Sequence, residues 1–143
     1  MSAVPSQLLI HTDGGSRGNP GPAAVGVFII TPDQQVVHEF GECIGVGTNN
    51  EAEYQAILLS LNWLKQQDLS ALKQVTWKLD SKLVVEQLLK HWKIKEPRML
   101  VLAQKCWVLL AELPGTWNIV HIPRAENAAA DALVNQALDA AAL

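Results

Sequence analysis

Along this chain the apolar positions change period several times, and each change marks an element. Leu8, Leu9 and Ile10 make a short unbroken apolar run, the pattern of a buried strand, so residues 7–12 are predicted as one. Asp13 follows at the junction, and the stretch from Gly14 to Pro22 is so rich in Gly and Pro that the strand is expected to end there. Ala24 to Ile30 is a second β-rich run, closed by the turn Thr31-Pro32-Asp33-Gln34-Gln35. Val36 to Val46 is a third, loosely alternating, with Gly41 and Gly45 as signs of curvature or a bulge. Three strands joined by short turns imply an antiparallel meander.

From Asn49 to about Asp68 the period becomes helical, with Ile57, Leu61 and Leu64 on one stripe and Leu58 beside it. Thr48 and Glu51 have the spacing of a capping box at its start. Val75 to Leu79 is a short strand stopped by Asp80-Ser81, and a helix runs from Lys82 to about His91. Met99 to Leu113 is a helix apolar on most sides, expected to pack deeply, and Pro114-Gly115 ends it. Trp117 to Ile122 alternates as a fifth strand, and an alanine-rich helix occupies Glu126 to about Ala141. The order β-β-β-α-β-α-α-β-α, without internal repeats, predicts an α/β fold over residues 1–143: one domain, a mixed sheet with helices on its faces.

Composition narrows this picture. With 49% hydrophobic and 17% charged residues in 143, the chain can bury a real core. No apolar run approaches the roughly 18 residues that cross a bilayer, and Met1-Ser2-Ala3-Val4-Pro5 lacks the features of a signal peptide. No membrane association and a cytoplasmic location are expected. Cys43 and Cys106 could form one disulfide, but buried free thiols are the expectation in a reducing compartment. A net charge of −3 argues against nucleic-acid binding at face value, yet two bound divalent cations would turn it to +1.

The candidate chemistry lies in four acids. Asp13 closes the first strand. Glu53 heads the apolar stripe of its helix, four and eight residues before Ile57 and Leu61, whereas Glu51 points the other way. Asp80 closes a strand as Asp13 does, although it fits the N-cap of the next helix equally well. Asp131 precedes Val134 and Leu138 by three and seven residues, again on an inward stripe. Four such carboxylates without cationic partners at matching spacing would raise one another's pKa unless cations sat between them. Hard oxygen ligands without cysteine suit Mg²⁺ or Mn²⁺. Two such ions about 3.5–4 Å apart serve in-line displacement at phosphorus. The basic stretch Lys90 to Arg98, with Trp92 inside it, reads either as a solvated connector or as a contact to a nucleic-acid backbone.

Thr12-Asp13-Gly14-Gly15-Ser16-Arg17-Gly18-Asn19-Pro20-Gly21, Thr48-Asn49-Asn50 followed by Glu53, Leu79-Asp80-Ser81, and Ile122-Pro123-Arg124 with Asn127 and Asp131 resemble, in order, the four motifs of type 1 ribonuclease H. The resemblance covers nearly the whole chain. It implies a five-stranded RNase H-like sheet of order 3-2-1-4-5 and hydrolysis of the RNA strand of RNA–DNA hybrids, giving 5′-phosphate and 3′-hydroxyl products. It further implies two Mg²⁺ ions, with Mn²⁺ as a substitute. Asp13 would bridge both, Glu53 and Asp80 would hold the ion on the leaving-group side, and Asp131 the ion that activates water. Gly14, Gly15, Ser16, Asn19, Thr48, Asn49, Asn50 and Ser81 would contact the hybrid, although Asn19-Pro20-Gly21 also reads as a plain turn. No obligate protein partner is implied, and a monomer is expected.

Two departures from the family pattern stand out. Only 51 residues separate Asp80 from Asp131, so the long basic protrusion of many members is missing or reduced to residues 90–98, including Lys93 and Lys95. The flexible histidine that many members carry just before the last acid has two candidate counterparts here. His121 lies in a predicted strand, where a packed core histidine is the plainer reading. Arg124, on a loop, resembles the handle-less archaeal and bacterial subgroup and is preferred. Outside this reading stand a catalytically silent hybrid-binding domain of the same fold, and a resolvase or integrase core, which lacks the Asn-Asn-x-x-Glu helix start.

Overall fold

The computed structural model describes residues 3–142. Five strands form one sheet of order β3-β2-β1-β4-β5: β1 (Gln7–Ser16), β2 (Gly21–Ile30), β3 (Val36–Gly47), β4 (Gln74–Leu79) and β5 (Thr116–His121). β1, β2 and β3 are antiparallel neighbours, while β4 and β5 run parallel to β1. Four helices complete the fold: α1 (Asn49–Lys65), α2 (Lys82–Leu88), α3 (Pro97–Ala111) and α4 (Ala128–Ala141), the last preceded by a 3-10 turn over Arg124–Asn127. Architecture and strand order are those the sequence implied.

Several boundaries differ, each for a local reason. β1 does not end at Asp13. Gly14, Gly15 and Ser16 continue the ladder opposite Val25, Ala24 and Ala23, and the chain turns only beyond Arg17, whose N–H donates to the Pro22 carbonyl. Two glycines in succession did not break the strand, because each supplies the same N–H and C=O to the ladder as any residue. Asp13 therefore sits inside a strand rather than at its end. α2 stops at Leu88, three residues early. Lys90 takes a left-handed φ of 64°, Lys90 N–H donates to the Gln87 carbonyl, and His91 N–H to the Glu86 carbonyl, the closed bonding of a Schellman end. α3 is less deeply packed than its composition suggests. Leu102, Ala103, Cys106 and Leu110 face inward, while Val101 and Val108 lie 50% and 60% exposed.

The main core fills the space between the sheet and α1, α2 and α3, around Trp77, Tyr54, Ile57, Leu61 and Leu79. Trp77 Nε1 donates to Ser60 Oγ at 2.9 Å, and Ser60 Oγ donates to the Ile57 carbonyl at 2.6 Å, so the polar atoms of this pair are satisfied out of water. A much smaller apolar cluster, Ala24, Val134 and Leu138, lies under α4. Both cysteines are free. Cys106 is buried, which pushes its thiol up to about 12. Cys43 is exposed on β3, contrary to the expectation that both are buried. Among the described residues no helix is long and apolar enough to cross a membrane.

Candidate active site

Glycine 14 brings the first two acids together. A Cβ there would stand 2.2 Å from the Ala52 carbonyl carbon, so only glycine lets the first turn of α1 lie against β1. The Thr48 hydroxyl starts α1 by accepting from the Glu51 N–H at 3.1 Å. Glu51 does not complete a reciprocal box; its carboxylate lies 3.6 Å from Arg98. Two residues on, Glu53 is buried and its Oε1 accepts from the Gly14 N–H at 3.2 Å, whereas its Oε2 is buried with no hydrogen-bond partner. Such an orphaned oxygen is costly unless a cation completes its surroundings.

Asp80 joins from the adjacent strand end. The competing capping role falls to Ser81, whose hydroxyl accepts from the Val84 N–H at 3.3 Å. Asp80 is thereby left half-buried and aimed at the other acids. One oxygen from each of Asp13, Glu53 and Asp80 lies within 4.8 Å of the others. Asp131, on the first turn of α4, closes the cluster from the far side, near enough for its charge to act on Asp13.

The electrostatics are those of crowded carboxylates with little counter-charge beside them. Burial foremost, with the charges of Asp80 and Asp131, lifts Asp13 from 3.8 to about 7 even though its close approach to Glu53 pulls the other way. Glu53 is raised well above the ordinary carboxylate range by burial first and Asp13 second. Among the described residues the one cation beside an acid of the cluster is Arg124, whose guanidinium is 3.8 Å from Asp131 and mostly exposed. Geometry and donor chemistry both fit hard divalent cations: oxygen ligands, crowded charge and an unpaired buried oxygen. The acids line an open cleft of about 330 Å³ together with Gly14, Gly15, Ser16, Asn49 and Arg124.

Of the remaining sequence candidates, Ser16, Asn19 and Asn49 form one network. Asn49 Oδ1 accepts from the Ser16 N–H at 2.9 Å, and Asn19 Oδ1 accepts from the Asn49 N–H at 3.0 Å. Asn19 is therefore tied to the start of α1 rather than sitting in an independent turn. Asn49 lines both the acid cleft and a neighbouring groove bordered by Asn19, Thr48, Asn50 and Arg98. Lys93 and Lys95 are exposed in the α2–α3 connector. Lys93 borders a separate hollow with Trp92 and Trp107. His121 is exposed, not packed in the core: it is the last residue of β5, whereas Ile119, on the same face two residues earlier, is buried. It does not line the acid cleft.

Sequence reasoning gave no role to Asn127. Its side chain is fully buried, and Nδ2 donates to the Thr12 carbonyl at 2.9 Å and to Asp80 Oδ2 at 3.2 Å. His11 Nδ1 lies 3.3 Å from Asn127 Oδ1, which fixes the orientation of the amide. A signal was present: Asn127 stands one helical turn before Asp131, on the same side.

Residues 11–137 match the protein family described as "Reverse transcriptase-like". A protein of Halobacterium salinarum named ribonuclease HI is 41% identical over 90% of this chain, which spans 63% of that protein's length. A bifunctional protein of Mycobacterium tuberculosis is 42% identical over 95% of this chain, which spans 36% of its length. Among solved structures, LC11-RNase H1 in complex with an RNA/DNA hybrid superposes with a TM-score of 0.89 at 40% identity, covering 95% of this chain and 99% of that one. With a central sheet of order 3-2-1-4-5 and acids gathered from β1, α1, the end of β4 and α4, the chain belongs to the ribonuclease H family.

Proposed function

We propose that this chain is an endoribonuclease that hydrolyses the RNA strand of RNA–DNA hybrids, leaving 5′-phosphate and 3′-hydroxyl ends. The observation that carries the reading is the acid cluster: three carboxylates with oxygens within 4.8 Å of one another, one of them with an orphaned buried oxygen, in an open polar cleft. The likeness to a relative whose structure holds an RNA/DNA hybrid supports the substrate class.

Asp13, Glu53, Asp80 and Asp131 would hold two Mg²⁺ ions, with Mn²⁺ able to take their place. When bound, the ions would supply activation of water and neutralisation of the charge that develops on the phosphate. The protein's own part is orientation. The Gly14 N–H holds Glu53, and Asn127 holds Asp80. Arg124 stands beside Asp131 on the cleft rim, the better placed of the two basic candidates to assist water attack or product departure. Gly14, Gly15, Ser16, Asn19, Thr48, Asn49 and Asn50 line the acid cleft or the groove beside it and offer small polar groups and backbone amides to 2′-hydroxyls and phosphates. Lys93 and Lys95, with Trp92, would reach the hybrid's backbone from the connector. The chain is further proposed to act as one domain, as a monomer, in the cytoplasm.

Labelled RNA–DNA hybrid, double-stranded RNA and single-stranded RNA incubated in parallel with Mg²⁺, Mn²⁺ or EDTA test this. Metal-dependent cleavage confined to the hybrid's RNA strand is expected. Hybrid binding without cleavage would instead make the chain a silent binding domain.

A further inference from the structure

Asp13 does not stand alone in its row of the sheet. It is paired directly with Gly26 on β2, and Gly26 with Gly41 on β3. Residues directly opposite in antiparallel strands share a face, and here that face carries α4. A Cβ at Gly26 would lie 2.2 Å from the Ala130 carbonyl oxygen and 3.1 Å from Leu133 Cβ. One at Gly41 would lie 2.4 Å from the Leu133 carbonyl oxygen. Both obstacles are main chain, which cannot swing aside. Neither glycine has a positive φ, so turn geometry does not account for either. Glycine inside a strand weakens it and often marks close backbone approach. α4 rests directly on bare backbone, and Ala130, fully buried at that contact, is the residue before Asp131.

We propose that Gly26 and Gly41 are positioning residues for the reaction: they set the depth at which α4 lies on the sheet, and so the reach of the Asp131 carboxylate toward Asp13. A methyl group at Gly26 demands that the α4 backbone rise about 1 Å to regain ordinary contact. A misplacement of about 1 Å at a reacting centre costs on the order of 100-fold in rate. The rate expectations rest on the hydrolytic reading above; the geometric expectation does not.

Gly26→Ala tests this. The variant is expected to fold and unfold cooperatively, with KM for hybrid within about twofold of the parent and kcat reduced at least about 10-fold. Asp131→Glu lengthens the side chain by one methylene. It is expected to lower kcat in the parent but raise it at least about threefold in the Gly26→Ala background, a non-additivity that simple destabilisation does not produce. A crystal structure of Gly26→Ala should show the Asp13 and Asp131 carboxyl groups about 1 Å further apart than in the parent. An unchanged separation overturns the proposal, as does an Asp131→Glu effect of equal size in both backgrounds. Should Gly26→Ala not fold, Gly41→Ala carries the same measurements from the outer strand, and unchanged kcat and separation there overturn it. A parent protein that cleaves no hybrid would sink the hydrolytic reading alone, leaving the carboxyl separation to decide this one.

Discussion

Replacing Asp13 by Asn should stabilise the metal-free protein while abolishing its hydrolytic activity, and the stabilisation should depend on pH. Asp13 is buried against Glu53, with Asp80 and Asp131 facing it and Arg124, beside Asp131, the one nearby cation among the described residues. Its carboxyl is raised from 3.8 to about 7, chiefly by burial. A raised carboxyl binds its proton more tightly in the folded chain than in the unfolded one. The folded state is therefore penalised as pH climbs above the unfolded value, and the penalty levels off above the folded one. At about 1.4 kcal/mol per pKa unit, the full penalty is about 4 kcal/mol above pH 7, falling toward zero near pH 3. Asn removes that charge at nearly constant shape. Urea unfolding in EDTA at intervals from pH 4 to 8 should show the variant's advantage growing up to about pH 7 and then holding steady. Saturating Mg²⁺ should reverse the order, because only the parent keeps its full set of oxygen ligands. An advantage independent of pH, or a variant less stable than the parent at pH 8 in EDTA, would refute the account of crowded carboxylates. Near-normal cleavage by the variant would refute the metal-ligand role.

Ser60→Ala should cost about 1–3 kcal/mol in chemical denaturation without touching kcat, since it strands the buried Trp77 N–H. A duplex with one embedded ribonucleotide should be cut more slowly than one with a run of several, because Ser16, Asn49 and Asn50 would sum contacts over adjacent 2′-hydroxyls; equal rates in a side-by-side time course would contradict this. Lys93→Ala with Lys95→Ala should weaken hybrid binding and flatten the log K against log salt slope by about one to two, with turnover at saturation unchanged. A slope that stays the same in a salt titration would return the connector to a purely solvated role.

What the sequence showed of this site was what periodicity and motif order encode. Glu53 stood out because a carboxylate headed an apolar stripe, and the structure buries it. Asp80 was ambiguous on paper, and its neighbour Ser81 resolved it by taking the cap. The strand through Gly14 and Gly15 was illegible because glycine's local propensity opposes what pairing with β2 imposes. Asn127 was illegible for a different reason. Its partners, Thr12 and Asp80, are 115 and 47 residues away, and its one local sign, a place one turn before Asp131, does not name them. His121 was misjudged because a place in a strand was read as a place in the core, whereas it is the last residue of β5 and stays exposed there. The depth of α3 was overread from letters alone, since a helix can be apolar all round and still bury one side.

The small apolar cluster under α4 bears on how the protein breathes. Asp13, Glu53 and Asp80 belong to elements that share the main core. Asp131 rides on a helix held by Val134 and Leu138 against Ala24, with Arg17 and Asp139 paired at the surface. Burying two such side chains is worth roughly 3–6 kcal/mol, at the low end of a domain's whole stability. Local opening should therefore release α4 before the sheet and α1 let go. Its amide protons should exchange with deuterium ahead of those of α1, most of all in the crowded metal-free state. The molecule would then visit conformers that keep three acids in register and have swung the fourth away, a reversible way of being inactive that needs no unfolding.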